Sequence, residues 1–194
     1  MEIELIDRDS EKRRRAVLSA LTLAFARDPL SRWLFPEPQA YLTYFPEFTA
    51  AFGGPAFSAG TVWASEDTSG AALWFPSGVH PDDEIFESVI VGAVDEAKHQ
   101  TLAVIFEKMD EFHPKEPHWY LALIGVDSAH QGKGIGAQLM QAALARCDQE
   151  GLIAYLESSN PANISLYERN GFRVVGEIQI DDAPPLTPML RPAR

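Results

Sequence analysis

The sequence predicts a mixed α/β domain, a mostly antiparallel sheet with one βαβ unit and helices packed around it. Three observations predict it. Residues 119–126 are apolar almost throughout and too short a run for a typical helix, which suits a buried strand. After a glycine-rich loop, Ile135, Leu139, Ala142, Ala143, Arg146 and Cys147 recur at helical spacing until Glu150-Gly151 stops the run, and the apolar stretch 152–157 follows as a strand. Upstream, the short apolar runs 61–65 and 71–75 flank E-D-T-S-G at residues 66–70, which is hairpin chemistry.

The elements follow in order. Residues 2–7 alternate polar and apolar and read as a short strand. Asp9 or Ser10 can cap a helix over residues 11–27, with Val17, Leu18, Leu21, Ala24 and Phe25 on one face and the basic run 12–15 as a solvated face. Asp28-Pro29 ends that helix, and Trp33, Leu34, Phe35 and Pro36 form an aromatic connector to a second helix over residues 39–52. Tyr41, Tyr44, Phe45 and Phe48 crowd this second helix, which fits either packing on the sheet or the wall of a site for a flat or apolar group. Gly53-Gly54-Pro55 breaks the chain before the hairpin, and Pro76 stops its second strand. Residues 82–111 mix apolar and acidic positions at helical spacing, as one or two helices. Beyond the βαβ unit, residues 173–180 read as a strand, 181–185 as a turn and 186–190 as a last strand. At 194 residues the chain is most simply one domain, 1–194.

Gly132, Gly134 and Gly136 sit just after a predicted strand and at the start of a helix. The first turn of a helix leaves four N–H groups unpaired at the positive end of the dipole, and glycine lets an anion approach them, so the expected ligand is a phosphate or pyrophosphate. Lys133 adds a positive charge to the loop. Gly132-x-Gly134-x-x-Ala137 also matches a relaxed dinucleotide fingerprint, with Glu157 where an acidic ribose ligand would fall. Against that reading, residues 127–131 intervene between strand and glycines, and too little chain follows Glu157 for the further βαβ units such a fold needs.

More of the residues fit another pattern. Q-G-K-G-I-G at residues 131–136, preceded by L-I-G-V-D, resembles the Q/R-x-x-G-x-G/A signature of the GCN5-related N-acetyltransferase (GNAT) superfamily. N-P-A-N-I-S-L-Y-E-R-N-G-F at residues 160–172 resembles that family's second motif, in the right order and joined by one helix and one strand. The finer wording is similar to the subgroup containing puromycin N-acetyltransferase. The resemblance implies a GNAT-type acyl-CoA N-acyltransferase fold, with a sheet of about six to seven strands flanked by helices. It further implies an acetyl-CoA-dependent N-acetyltransferase in which an amine attacks the thioester directly in a ternary complex, with acetyl-CoA as co-substrate and no metal.

On that resemblance, backbone groups around Ile124, Gly125 and Val126 pair with the pantetheine arm, and Gly125 marks either a bulge or room for a packing helix. Gln131, Gly132, Lys133, Gly134, Ile135, Gly136 and Ala137 hold the pyrophosphate. Asn160 contacts the cofactor arm or caps the helix after Pro161. Asn163 stands where alanine is commoner in the motif and is a further cofactor contact. Tyr167 matches the tyrosine that protonates the coenzyme A thiolate. Some members carry a glutamate base at the position of Tyr120, so the base here is His118, on the same strand face, or Glu157 at the end of the next strand, or a water relay.

The net charge of −12 argues against nucleic acid and anionic membranes as partners and fits a cationic amine. The acceptor is expected to be a small-molecule amine. A protein or peptide amine, or a non-catalytic acyl-CoA-sensing module, is the alternative, and the oligomeric state stays open, a homodimer included. Cys147, the sole cysteine, falls on the apolar stripe of the glycine-loop helix and reads as core. With no disulfide, signal peptide or membrane span in the sequence, a cytoplasmic location is expected.

Overall fold

The computed structural model describes residues 2–194. In chain order its elements are β1 (Ile3–Leu5), α1 (Glu11–Ala24), a 3-10 turn (Phe25–Arg27), α2 (Pro29–Leu34), α3 (Pro38–Gly53), α4 (Pro55–Ala59), β2 (Val62–Ser65), β3 (Gly70–Phe75), α5 (Asp83–Ala93), α6 (His99–Phe112), β4 (His118–Val126), α7 (Ile135–Glu150), β5 (Ile153–Ser158), α8 (Ile164–Arg169), β6 (Arg173–Val174) and β7 (Thr187–Arg191). The seven strands form one sheet in the order β1-β2-β3-β4-β5-β7-β6. Only β4 and β5 run parallel, joined by α7, so the single expected βαβ unit sits mid-sheet among antiparallel pairs. Among the described residues no helix is long and apolar enough to cross a membrane.

Local chemistry explains most boundaries. Ser10 Oγ accepts the Arg13 N–H at 3.4 Å and starts α1. The αL conformation of Gly151 ends α7, with its N–H bonded back into the last turn. Three segments differ from the sequence expectation. The chain before and into the connector, Pro29–Leu34, is helix, because Asp28 Oδ1 accepts the Ser31 N–H at 3.0 Å and Pro29 fills the first helical position of α2; only Phe35 and Pro36 remain irregular. Gly53-Gly54-Pro55 does end α3, at Gly53, but Pro55 at once opens a further short helix, α4. The strand expected at residues 173–180 shrinks to Arg173–Val174 with an isolated bridge from Ile178 to Leu186. Val175 still donates to Pro188 O at 2.9 Å, but proline has no N–H to return, and the ladder stops there.

Two apolar layers cover the sheet. On one face α7 packs Ile135, Leu139, Met140, Ala143 and Cys147 against Trp63, Trp74, Trp119 and Leu121. Trp119 Nε1 donates to Glu150 Oε2 at 2.8 Å and fastens β4 to the end of α7. On the other face Val17 and Leu21 of α1 meet Val62, Leu73, Leu123 and Tyr155. Beside this layer, α2, α3, α5 and α6 enclose an aromatic cluster of Phe35, Tyr41, Phe45, Phe48, Phe86 and Phe106.

The central strand carries an irregularity. Leu73 of β3 faces Leu123 while the next residue, Trp74, faces Leu121, so Ala122 is an extra residue on β4. The bulge falls there and not at Gly125, which pairs regularly with Ala71. It reverses the facing of the rest of the strand: Leu123 joins the layer of Tyr120, whereas Ile124 and Val126 pack with Trp119 and Leu121. Gly125 then lies beneath α1, where an added Cβ would stand 2.6 Å from the Ala24 Cβ. Gly125→Ala is therefore expected to push α1 off the sheet and cost about 1–3 kcal/mol, read as a lowered urea midpoint with an unchanged m-value.

Candidate active site

β4 and β5 are paired only from His118–Tyr120 to Ile153–Tyr155. Beyond that, β4 stays with β3 and β5 with β7, so the C-terminal halves of the two parallel strands diverge. A wedge opens between them, and Ile124, Gly125 and Val126 are only half-buried although their strand is central. An unpaired strand edge inside a sheet presents backbone N–H and C=O groups to any extended ligand.

Two cavities meet at this wedge. The first, a cleft, is lined by Ile124, Gly125 and Val126, by the loop residues Gln131, Gly132 and Gly134, by Ile135, Gly136 and Ala137 of the first turn of α7, and by Asn160 and Asn163. Gly134 caps α7 at φ +79° and Gly132 lies at φ +76°, both in the left-handed region, while neither would meet a close neighbour with a Cβ. Backbone conformation, not space, demands glycine at both. The loop is pinned on its strand side: Asp127 N donates to Ser69 O at 2.8 Å, and Gln131 Nε2 donates to Val126 O at 3.0 Å. The first N–H groups of α7 thus face a cleft wide enough for an anion.

The second cavity lies on the far side of the wedge. Phe45, Phe48 and Phe52 of α3, Phe86 of α5, and Leu102, Ile105, Phe106 and Met109 of α6 form its apolar walls. Its polar groups are few: Asp28, Ser31, Ser159, Asn163, Tyr120, Tyr167 and Glu157. Phe25, Asp28, Ile124, Asn163 and Tyr167 line both cavities, so a ligand in each would meet beside the Tyr167 ring.

The two buried carboxylates differ in their partners. Asp28 Oδ1 accepts from Ser31 N (3.0 Å) and Ser31 Oγ (3.1 Å), and Oδ2 accepts from Ser159 Oγ at 2.7 Å. Burial raises its pKa against these bonds. Glu157 has a side chain only 2% exposed, and neither carboxylate oxygen has a well-formed hydrogen bond. Burial pushes its pKa up to about 7; the Tyr120 and Tyr155 hydroxyls beside it favour the ionised form without completing such a bond. Asp28 is occupied as a helix cap, and Glu157 is free to exchange a proton near neutrality. Burial, with the Asp28 charge adding to it, raises the Tyr167 hydroxyl above its ordinary value, so it stays protonated.

The structure brings together most of the residues singled out from sequence. Ile124, Gly125, Val126, Gln131, Gly132, Gly134, Ile135, Gly136, Ala137, Asn160, Asn163 and Tyr167 share the cleft, with Glu157 in the adjoining cavity. Asn160 also caps the turn after it, its Oδ1 accepting from Ala162 N at 3.0 Å. Lys133 is exposed and does not line the cleft. His118 lines neither cavity; its ring is bonded to His113 and to the Glu116 carbonyl. Cys147 is fully buried with its thiol pushed up to about 12 by burial, inert in the core. Asp28 and His113 escaped sequence reasoning. Asp28 was visible only as a helix stop, and nothing local to His113 marks it.

The family model for the acetyltransferase (GNAT) family matches residues 40–172. The chain belongs to the GNAT acetyltransferase family. It is 33% identical over 127 residues to an uncharacterised N-acetyltransferase of Schizosaccharomyces pombe, covering 58% of this chain and 51% of that protein. It is 43% identical over 51 residues to an L-methionine sulfoximine/L-methionine sulfone acetyltransferase of Pseudomonas aeruginosa, covering 25% of this chain and 30% of that protein. The matches thus span about half or less of these relatives' lengths. A solved Corynebacterium glutamicum structure described as histone acetyltransferase HPA2 and related acetyltransferase superposes with a TM-score of 0.69 at 26% identity, covering 99% of this chain and 96% of that one. The mixed, mostly antiparallel sheet and its flanking helices are therefore a GNAT fold. This family transfers acetyl groups from acetyl-CoA, and its GNAT-type sheet here is the seven-stranded one.

Glu157 also sets a pH dependence of stability. Between its ordinary pKa of 4.5 and about 7, the folded protein holds a proton that the unfolded chain has lost, so this group's contribution falls as pH rises through that window. His113, held down to about 4 by burial and by His118, acts in the opposite sense in both wild type and variant. The melting temperature of Glu157→Gln relative to wild type is expected to climb from about pH 4.5 to 7 and then level. Parallel curves for the two proteins would mean that Glu157 titrates alike folded and unfolded.

Proposed function

We propose that the protein is an acetyl-CoA-dependent N-acetyltransferase that acetylates a small-molecule primary amine carrying an apolar or aromatic body. The observation that carries this reading is the meeting of an anion-suited cleft and an apolar cavity at Phe25, Asp28, Ile124, Asn163 and Tyr167. Acetyl-CoA supplies an activated acetyl thioester. The first turn of α7 and the loop at residues 131–134 bind its pyrophosphate, and the free edge at Ile124–Val126 pairs with its arm in the manner of a strand. Asn160 and Asn163 add side-chain contacts from the opposite wall of the cleft.

Glu157 takes a proton from the acceptor nitrogen, and Tyr167 gives one to the departing thiolate. Both roles suit their environments, since a base is most effective with a pKa near the working pH and an acid must arrive protonated. Direct attack fits better than an acetyl-enzyme, because the sole thiol is buried and inert. A small acceptor with an apolar body fits better than a protein amine, because the walls are mainly apolar side chains, Phe45, Leu102 and Ile105 among them at no more than 3% exposed, with few polar partners for a peptide backbone. The negative Asp28 and Glu157 at the inner end would attract the ammonium form of such an amine.

Acetyl-CoA at about 100 times its dissociation constant is expected to stabilise the wild type by roughly 2.7 kcal/mol, an easily seen thermal shift. Gly134→Glu, which brings a side chain and a negative charge to a left-handed position, is expected to abolish that shift. A response to a nicotinamide cofactor in place of acetyl-CoA would overturn the reading. In thiol-release assays with apolar amines, kcat/KM is expected to rise with pH through about 7 as Glu157 ionises. Glu157→Gln is expected to lose that limb and about 10²–10⁴ in rate. Tyr167→Phe is expected to lower kcat by about 10² while leaving the acetyl-CoA thermal shift intact.

A further inference from the structure

Acetylation of an ammonium acceptor leaves a surplus proton. The nitrogen of R–NH3+ gives up two protons as its N–C bond forms and the C–S bond of the thioester breaks. One ends on the coenzyme A sulfur, and the other must reach solvent. If Glu157 is the base, that proton starts on a carboxylate with a side chain only 2% exposed.

Two histidines lead outward from it. His113, which follows α6 as its C-cap, has Nδ1 4.0 Å from Glu157 Oε1 and a side chain 33% exposed. Its ring packs on those of Tyr120, Tyr155 and His118, with centroids 4.9, 5.1 and 4.7 Å away. His113 Nε2 lies 2.9 Å from His118 Nε2, and His118 Nδ1 lies 2.8 Å from the Glu116 carbonyl oxygen. The last contact sets every proton in the neutral chain. A carbonyl only accepts, so His118 Nδ1 carries a hydrogen and its Nε2 is the acceptor. His113 Nε2 must then be the donor, which leaves the His113 Nδ1 lone pair on the side of Glu157.

We propose that His113 and His118 form a proton relay that carries the surplus proton of acetyl transfer from Glu157 to solvent. The proposal rests on the reading of Glu157 as base. Both histidines are positioning residues, since neither lines the acceptor cavity. The step is balanced: the Glu157 O–H delivers its proton to His113 Nδ1 while His113 Nε2 passes its own to His118 Nε2. His118, now protonated on both nitrogens, gives its Nδ1 hydrogen to water, which leaves the hydrogen of His113 on Nδ1 and that of His118 on Nε2; a turn of each ring then restores the starting tautomers. His113 stays neutral at both ends of the transfer, in keeping with a pKa held down to about 4 by burial and His118 against the opposing charge of Asp110. A small rotation of the carboxylate or one bridging water closes the 4.0 Å gap.

The test uses the full-length protein with a panel of apolar primary amines from benzylamine to tryptamine. His113→Phe and His118→Phe keep ring packing and remove the relay. Each is expected to keep the wild-type KM for acetyl-CoA and a melting temperature close to wild type, and to lose about tenfold or more in kcat at low buffer concentration. Added imidazole is expected to restore that loss, and sodium chloride of equal ionic strength is not. Unchanged kcat in both variants, or a loss that imidazole leaves untouched, overturns the relay. Glu157→Gln separates the two ideas. If it too is as fast as wild type, or if the wild type acetylates nothing on the panel, the base assignment fails and the relay with it; if it is slow while both histidine variants are fast, the relay alone fails.

Discussion

The parting of β4 from β5 after three paired residues is the constraint on which the site depends. Each strand keeps its outer neighbour along its length, so the sheet remains continuous on both sides of the gap while one strand edge stays open in the middle of the protein. An open edge would ordinarily be covered or would attract another chain. Here the first turn of α7 and the start of α8 bracket it, and an extended ligand can complete it. The extra residue at Ala122 belongs to the same device. It turns Leu123 and Gly125 toward α1 while Ile124 and Val126 face α7, which lets the strand be held from both faces as it leaves β5.

The charges follow from that geometry. Asp28 and Glu157 come from opposite ends of the chain and line the same cavity, but they are not equivalent. Asp28 spends its oxygens on Ser31 and Ser159, so its burial is compensated and it ties α2 to the loop after β5. Glu157 is left without a complete hydrogen bond, an arrangement that costs stability when it is ionised and that keeps it reactive. The aromatic wall from α3, α5 and α6 deepens this effect by excluding water from the carboxylate. In a protein of net charge −12, the cleft that holds the glycine loop is also lined by Arg27 and Arg169, so basic side chains accompany the backbone N–H groups there, with Asp28 at its border with the apolar cavity. Lys133, in the middle of that loop, turns out to solvent.

Much of this was legible in the sequence because it is local. The span of α7, the hairpin of β2 and β3, the two helices after it and the parallel return through β5 follow from apolar period, caps and breakers within a few residues. Gly132 and Gly134 were legible for the same reason, as turn geometry needs only neighbouring residues. Short helices were less so. The periodicity of α2 is too brief to register, and its existence turns on one capping bond from Asp28. The edge strand after Phe172 was overread because its pattern is right and only the proline across from it is wrong.

The sequence by itself determined the order of the longer elements, the glycine loop at a helix N-terminus and the presence of a tyrosine and two acid–base candidates nearby. Only the tertiary structure distinguishes the surroundings of those candidates. On sequence His118 is the first candidate and Glu157, on the adjacent strand, the second, but one is bonded to a surface carbonyl and the other lines the cavity with Tyr167. Asp28 and Ser159 lie 131 positions apart, and His113 reaches Glu157 from the end of a helix on another layer. Periodicity carries no information about such meetings. They depend on which strands adjoin and where two of them part, and that is set by the packing of the whole sheet.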